Sequence, residues 1–230
     1  MRRDKSLFRE CFEVLLIAVV FALFVRTFVF QAFKIPSGSM EENLLIGDQL
    51  LVNKFVYGPT ASAWERRLLP VRDVRRGDVV VFKFPDDPRQ DFIKRCVGLP
   101  GDEVELIDKV LHVDGEAVDD ASYTYRNHPR VYSRSTYLPD EFRRRDNYGP
   151  YVVPSGTYFC LGDNRDNSHD SRAWRRTTVP REFVKGRAVL IYWSLEPRPG
   201  DPTRGLARVG RALSGFFERT RWERTGRLVR

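Results

Sequence analysis

The chain has 230 residues and a mean hydropathy of −0.42, which excludes a polytopic membrane protein, while 42% hydrophobic and 13% aromatic residues suffice for a packed core. The net charge of +8 raises nucleic acid as a partner, but nine arginines against three acidic residues in 198–230 place a net +6 in one tail and leave the rest near balance. The three cysteines (Cys11, Cys96, Cys160) contain no C-x-x-C pair, and no histidine cluster completes a zinc site. Cys96 and Cys160 fall in strand-like runs and read as small apolar residues, with a bridge between them left open if the domain lies outside the cytoplasm.

In chain order, residues 14–25 are apolar throughout, and Phe28, Val29, Phe30, Ala32 and Phe33 extend the run to about twenty residues, enough to cross ~30 Å of hydrocarbon as a helix. Arg26 sits near one end, where its side chain can snorkel. Arg2, Arg3, Lys5 and Arg9 precede the run, so the positive-inside rule puts the N-terminus in the cytoplasm and everything after residue 34 outside. A cleaved secretory signal is the rival reading. The run is longer than a usual h-region and no small-x-small site follows it, which favours an uncleaved anchor.

Just past the run comes Lys34-Ile-Pro-Ser-Gly-Ser-Met40. Pro36 biases Ile35 toward extended backbone, and Gly38 permits a sharp turn and close approach to a ligand. A serine on such a turn can offer both a hydroxyl and an N–H to one carbonyl; the plain alternative is a linker. Asp48–Phe55 reads as a strand. Residues 57–70 read as a loop in which Trp64, Leu68 and Leu69 either touch the membrane interface or pack ordinarily. Val79–Phe84 is a short apolar strand opened by Gly77-Asp78. Asp91–Val97 is a second, with Phe92, Lys94 and Cys96 on one face and Ile93, Arg95 and Val97 on the other.

Short strands follow at Glu103–Ile107 and Val110–Val113, with a hairpin turn at Asp114-Gly115. Residues 119–150 have no clear period and read as a surface insertion. Val152–Leu161 and Gly186–Trp193 return to strand character. Many short strands punctuated by Gly and Pro indicate a mainly β domain. In the tail, Leu206, Val209, Leu213, Phe216 and Phe217 recur at helical spacing among arginines, which fits either a basic amphipathic segment on anionic lipid or a frayed terminus.

Lys94 is the first candidate for chemistry. Partial burial and the neighbouring Arg95 both lower a lysine pKa and suit it to act as a base near neutral pH, although a strand lysine is ordinarily a solvated cover for apolar surface. The second candidate is Gly162-Asp-Asn-Arg-Asp-Asn-Ser-His-Asp-Ser-Arg172. Its alternating oxygens allow a calcium loop, but it lacks the EF-hand glycine and late glutamate. An Asx-held turn and a catalytic loop are the other readings.

Taken together, Ile35-Pro-Ser-Gly-Ser-Met40, Gly77-Asp-Val-Val-Val-Phe82, Ile93-Lys-Arg-Cys-Val-Gly-Leu-Pro-Gly-Asp102 and Gly162–Arg172 resemble the successive boxes of bacterial type I signal peptidases, the leader peptidase family with a Ser/Lys dyad. The likeness spans roughly residues 14–193. It implies short, coiled β-sheets of the signal peptidase type: an anchor in 1–34, an extracytoplasmic catalytic domain in 35–197 and the basic tail 198–230. By the same resemblance Ser39 is the nucleophile and Lys94 its general base. Ser37 and the Ser39 N–H form the oxyanion hole, and Ser168 orients Lys94. Asp163 pairs with Arg95 and Asp170 with Arg172. Phe33, Ile35, Pro36, Met40, Phe92 and Ile93 line the substrate pockets.

The implied activity is removal of signal peptides from exported preproteins after small-x-small sites, at the bacterial cytoplasmic membrane with the catalytic domain on its outer side. The implied partners are those signal peptides, the lipid bilayer and the secretion machinery. No nucleic acid, metal or organic cofactor is implied. Two departures stand out. Glu41-Glu42-Asn43-Leu44 replaces the family's Pro-Thr-Leu after Ser-Met, and Arg175–Thr178 inserts after Trp174. A Ser39/His169/Asp170 triad and a membrane-anchored, non-catalytic β module for binding or assembly are the rival readings.

Overall fold

Period-two alternation governs most of the residues that the computed structural model describes, namely 7–58, 71–133, 137, 139–197 and 216–229. In β2 (Asp48–Asn53) buried and half-buried residues alternate along the whole strand, as expected of a strand with one face on a core. β3 (Val79–Phe84), rich in β-branched residues, is buried at every position but Lys83. With β1 (Phe30–Lys34), β4 (Asp87–Gly98), β9 (Thr157–Leu161), β10 (Val179–Pro180) and β11 (Val184–Ser194) these strands form an antiparallel sheet in the order β1-β2-β11-β3-β4-β9-β10, and β12 (Arg227–Leu228) also pairs with β11.

A second sheet, ordered β7-β6-β5-β8, is built from β5 (Glu103–Ile107), β6 (Val110–Val113), β7 (Glu116–Ala117) and β8 (Tyr148–Val152). Three clusters of buried side chains hold the sheets. One contains Phe82, Cys96, Cys160 and Trp174. A second contains Ile35, Met40, Leu44, Leu50 and Val81. The third contains Val97, Val104, Leu106 and Phe159 and unites the two sheets. Cys96 and Cys160 face each other across β4 and β9 as free, buried thiols.

Several expectations require correction. The apolar N-terminal run is not one helix through Phe33. Helix α1 (Leu7–Phe24) gives way to a π-helical turn, Val25–Val29, and then to β1, whose five residues pair with β2 from Phe30↔Asn53 to Lys34↔Gln49. A ready-made partner strand captures the end of the run, so residues 30–34 belong to the sheet. α1 has 18 residues and carries Arg9, Glu10 and Glu13 in its first half; among the described residues no helix is long and apolar enough to cross a membrane.

β4 runs Asp87–Gly98, so it starts four residues before the expected Asp91. Val152–Leu161 splits into the end of β8 and β9. The insertion near 119–150 contains α2 (Asp140–Asp146), a polar helix with no apolar period. The end of the tail is not free: residues 216–229 return to the sheet through β12, and Val229 is buried beside Ile35 and Met40. Trp64, Leu68 and Leu69, like Leu206, Val209 and Leu213, lie outside the described residues.

Candidate active site

Ser39 rides on the loop between β1 and β2. The base of this loop is closed by Ile35 N–H donating to Asp48 O at 2.9 Å and Gly47 N–H donating to Ile35 O at 3.0 Å. Ile35, Met40 and Leu44 are driven into the second core cluster, and burying side chains of this size contributes roughly 1.5–3 kcal/mol each. These apolar residues flank Ser39 on both sides and fix the turn between them. Ser39 itself is 8% exposed.

Lys94 reaches the same point from β4, where it stands opposite Val80. It is 4% exposed, and its amine lies 2.7 Å from Ser39 Oγ and 3.0 Å from Ile93 O. The Phe92 ring centroid is 5.3 Å away. Burial pushes the Lys94 amine down to about 8, while Asp170, Cys160 and Asp163 pull it the other way. A lysine in this state is a usable base near neutral pH, and it is hydrogen-bonded to a serine hydroxyl.

The loop 162–172 leaves β9 and packs on the Ser39 turn. Asn164 N–H donates to Ser39 O at 3.2 Å and its Nδ2 to Gly38 O at 3.2 Å. Asp163 accepts two bonds of 2.7 Å from Arg95 Nε and Nη2, and one of 2.8 Å from Asn43 Nδ2. Arg95 Nη1 donates to Gly77 O at 2.7 Å, joining the glycine-aspartate box to the strand of Lys94. Arg172 grips Asp170 at 2.8–2.9 Å. Burial raises the Asp170 carboxyl, but the Arg172 guanidinium, the Gly162 N–H and Ser168 hold it below the ordinary carboxylate range. Gly162 has no room for a side chain: a Cβ there would lie 2.2 Å from Ser168 Oγ and 2.4 Å from Ser39 O.

Ser39, Lys94, Asp163, Arg95, Asp170 and Arg172 therefore converge, with Ser168 at their edge. The Ser168 Oγ is buried against Gly162 and makes no hydrogen bond of good geometry, so its expected bond to Lys94 is replaced by Lys94 donating to Ile93 O. Ser37 and Pro36 are exposed beside Ser39. Of the expected pocket residues, Phe33, Phe92 and Ile93 are partly exposed, whereas Ile35 and Met40 are almost wholly buried and form the wall beneath the others. Among the described residues no group of three or more His, Cys, Asp or Glu is placed to hold a metal ion.

Residues 8–193 match the family described as signal peptidase, peptidase S26. The chain belongs to that family. Signal peptidase I of Pseudomonas aeruginosa is 37% identical over 224 residues, covering 88% of this chain and 77% of its own. That of Pseudomonas fluorescens is 38% identical, covering 83% and 72%, and that of Aquifex aeolicus is 32% identical, covering 89% and 93%. A crystal structure of a signal peptidase I from Enterococcus faecalis, 28% identical, aligns with 50% of this chain and 97% of its own with a TM-score of 0.35. The protein is accordingly a hydrolase, a serine peptidase of the S26 family.

The two departures from the expected S26 pattern have local substitutes. Without a proline after Ser39-Met40, the turn is held by Leu44 N–H donating to Met40 O at 2.8 Å and by Asn43 bonding Asp163 and Tyr123 O. The inserted Arg175 and Arg176 N–H groups both donate to the Asp86 carboxylate. His169 is exposed and meets Phe84 and Phe92 edge-on, while Asp170 is occupied by Arg172, so the alternative triad has neither of its contacts. Sequence reasoning missed Asn43, Asn164 and Asp48. Asn164 lay in plain view within the 162–172 box, but Asn43 and Asp48 carried no local signal.

Proposed function

We propose that this S26 peptidase is membrane-anchored and removes N-terminal signal peptides from exported preproteins after small-x-small sites, with Ser39 as nucleophile and Lys94 as general base. The observation that carries this reading is the 2.7 Å contact between a buried Lys94 amine, lowered to about 8, and the Ser39 hydroxyl. Neutral Lys94 takes the Ser39 proton as Oγ attacks the scissile carbonyl. The Ser39 N–H and the Ser37 hydroxyl face the oxyanion. The protonated amine then gives its proton to the leaving amino group, and an ester remains on Ser39. Lys94 next deprotonates a water that attacks this ester, and the proton returns to Ser39 Oγ as the acyl group leaves. Ser168 holds the Asp170 side of the pocket, and the Ile93 carbonyl steadies the amine.

The substrate enters as an added strand beside residues 91–94. In support, β3 pairs with β4 along one edge through these residues, while β9 covers the other edge only from Arg95 onward. Phe33, Pro36, Phe92 and Ile93 offer apolar surface suited to small side chains around that open edge, with Ile35 and Met40 packed behind Phe33 and Ile93. The anchor reading is supported by α1, where Val14, Ile17 and Phe21 are each 67–68% exposed. Its occupant is the bilayer of a bacterial cytoplasmic membrane, with the N-terminus inside and the catalytic domain outside.

The test is cleavage of a preprotein bearing a small-x-small site by detergent-solubilised protein, run beside Ser39→Ala, Lys94→Ala and His169→Ala. Cutting at that site, abolished by the first two substitutions and retained by the third, is the expected result. A well-folded wild type that cuts nothing, in lipid or detergent, would return the chain to the non-catalytic module.

A further inference from the structure

The family match ends at residue 193, yet the last described segment comes back to the loop that carries Ser39. Arg224, 7% exposed, donates from Nη2 to Asp48 Oδ2 at 2.6 Å and to Asn43 O at 2.8 Å, and from Nε to Asp48 Oδ1 at 3.3 Å. Asp48 is wholly buried at the base of the nucleophile loop. It also accepts from Leu45 N–H at 2.8 Å and from the Ser194 hydroxyl at 2.6 Å. Arg221 adds a bond to Ile46 O at 2.8 Å and one to Ser194 Oγ at 2.8 Å. The segment is itself fastened to β11, through Gly226 N–H donating to Ile191 O and Val229 N–H donating to Val189 O.

One guanidinium thus spans the loop from its base, Asp48, to a carbonyl four residues beyond the nucleophile. The same Asn43 reaches with its side chain to Asp163, which holds Arg95 next to Lys94. A continuous set of bonds therefore runs from Arg224 through Asn43 and Asp163 to the strand position adjoining the general base.

We propose that Arg224 is a positioning residue for the peptidase reaction: its forked contact with Asp48 and the Asn43 carbonyl sets the Ser39 turn against Lys94. This rests on reading Ser39 as the nucleophile. The planar fork matters because Nη2 serves both Asp48 Oδ2 and the Asn43 carbonyl while Nε reaches Asp48 Oδ1; an ammonium, one nitrogen on a flexible stem, does not fix all three acceptors in one plane. Substrate recognition is assigned to β4 and the apolar residues around it, which Arg224 does not touch, so its removal acts on turnover and not on binding.

The experiment measures kcat and KM for preprotein cleavage by the full-length, detergent-solubilised chain as wild type, Arg224→Lys, Arg224→Ala, Ser39→Ala and Val113→Ala. Val113 is buried in the other sheet, so Val113→Ala is a destabilised comparator whose thermal midpoint is recorded beside the rest. Arg224→Ala is expected to lose roughly tenfold or more in kcat with KM within about twofold, Arg224→Lys to fold and fall between it and the wild type, and Val113→Ala to keep its kcat. If Arg224→Ala does not fold, Arg224→Lys decides alone. Wild-type kcat in the folded Arg224 variants, a change confined to KM, or an equal kcat loss in Val113→Ala at matched stability overturns the proposal. Cutting by Ser39→Ala would overturn the reading on which it rests, an outcome separate from these.

Discussion

Asp163 and Arg95 are joined by two bonds of 2.7 Å where neither side chain is more than 2% exposed. Removing one partner strands a buried charge, so Asp163→Ala is expected to lose about 3–5 kcal/mol in urea unfolding. Asp163→Leu combined with Arg95→Met should recover much of that stability, because an apolar pair of similar volume needs no compensation. It should not recover cleavage, because Asn43 loses the acceptor that ties the Ser39 loop to the loop after β9. A double variant as active as the wild type would reduce the ion pair to scaffold.

As the proposed general base, Lys94 must be neutral to accept the Ser39 proton, and burial lowers its amine to about 8. The logarithm of kcat/KM for the free enzyme should therefore rise with pH by about one unit per pH unit below 8 and level off above it. Stability follows the same group. Between about 8 and the ordinary 10.5 the unfolded chain binds the extra proton, so stability rises with pH across that window. Below about 8 the full penalty applies, on the order of 3 kcal/mol. Lys94→Met should be inactive and more stable than the wild type at pH 7, with the gap closing toward pH 10.5. Denaturant unfolding of both chains at several pH values measures this.

How legible this site was depends on the range of each interaction. The two faces of β4 could be read directly, since Phe92, Lys94 and Cys96 alternate with Ile93, Arg95 and Val97, and the core clusters divide along that line. β1 was hidden because its apolar sequence continues that of α1, and only its pairing with β2 distinguishes a strand from a helix end. α2 was hidden because a seven-residue helix with one aromatic has no apolar stripe to detect. Two-residue strands such as β10 and β12 have no period at all. Asp48 reads locally as the first residue of a strand, and its arginines lie more than 170 residues away. A single sequence holds no trace of such a pairing, which is why the end of the tail read as solvent- or lipid-facing.

Gly162 is hemmed in by the Ser39 carbonyl on one side and Ser168 Oγ on the other. A methyl group there must displace the Ser39 turn or the loop carrying Ser168, and neither is the free end of a flexible side chain. Gly162→Ala should cost about 1–3 kcal/mol from overpacking, and roughly 10²-fold in kcat if the turn moves by an ångström. Preprotein turnover and a thermal melt on the same sample separate the two effects. Wild-type turnover would mean that the loop shifts without disturbing Ser39.

Where the anchor ends is also testable, because β1 and α1 make different predictions for two truncations. A chain beginning at residue 25 loses the exposed apolar helix but keeps β1, the bond from Lys54 N–H to Val29 O at 2.9 Å and the five pairs with β2. It should stay folded, no longer float with phospholipid vesicles, and cut a short soluble peptide with kcat within a few-fold of the full chain, a range of about 1 kcal/mol in barrier. A chain beginning at residue 35 strips β2 of its edge partner and removes Phe33 from the cluster that seats Ile35 and Met40. That chain should unfold at markedly lower denaturant and lose cleavage, since the Ser39 loop keeps only one of the two strands that close it. Equal activity and stability in the two truncations would assign residues 30–34 to the anchor after all.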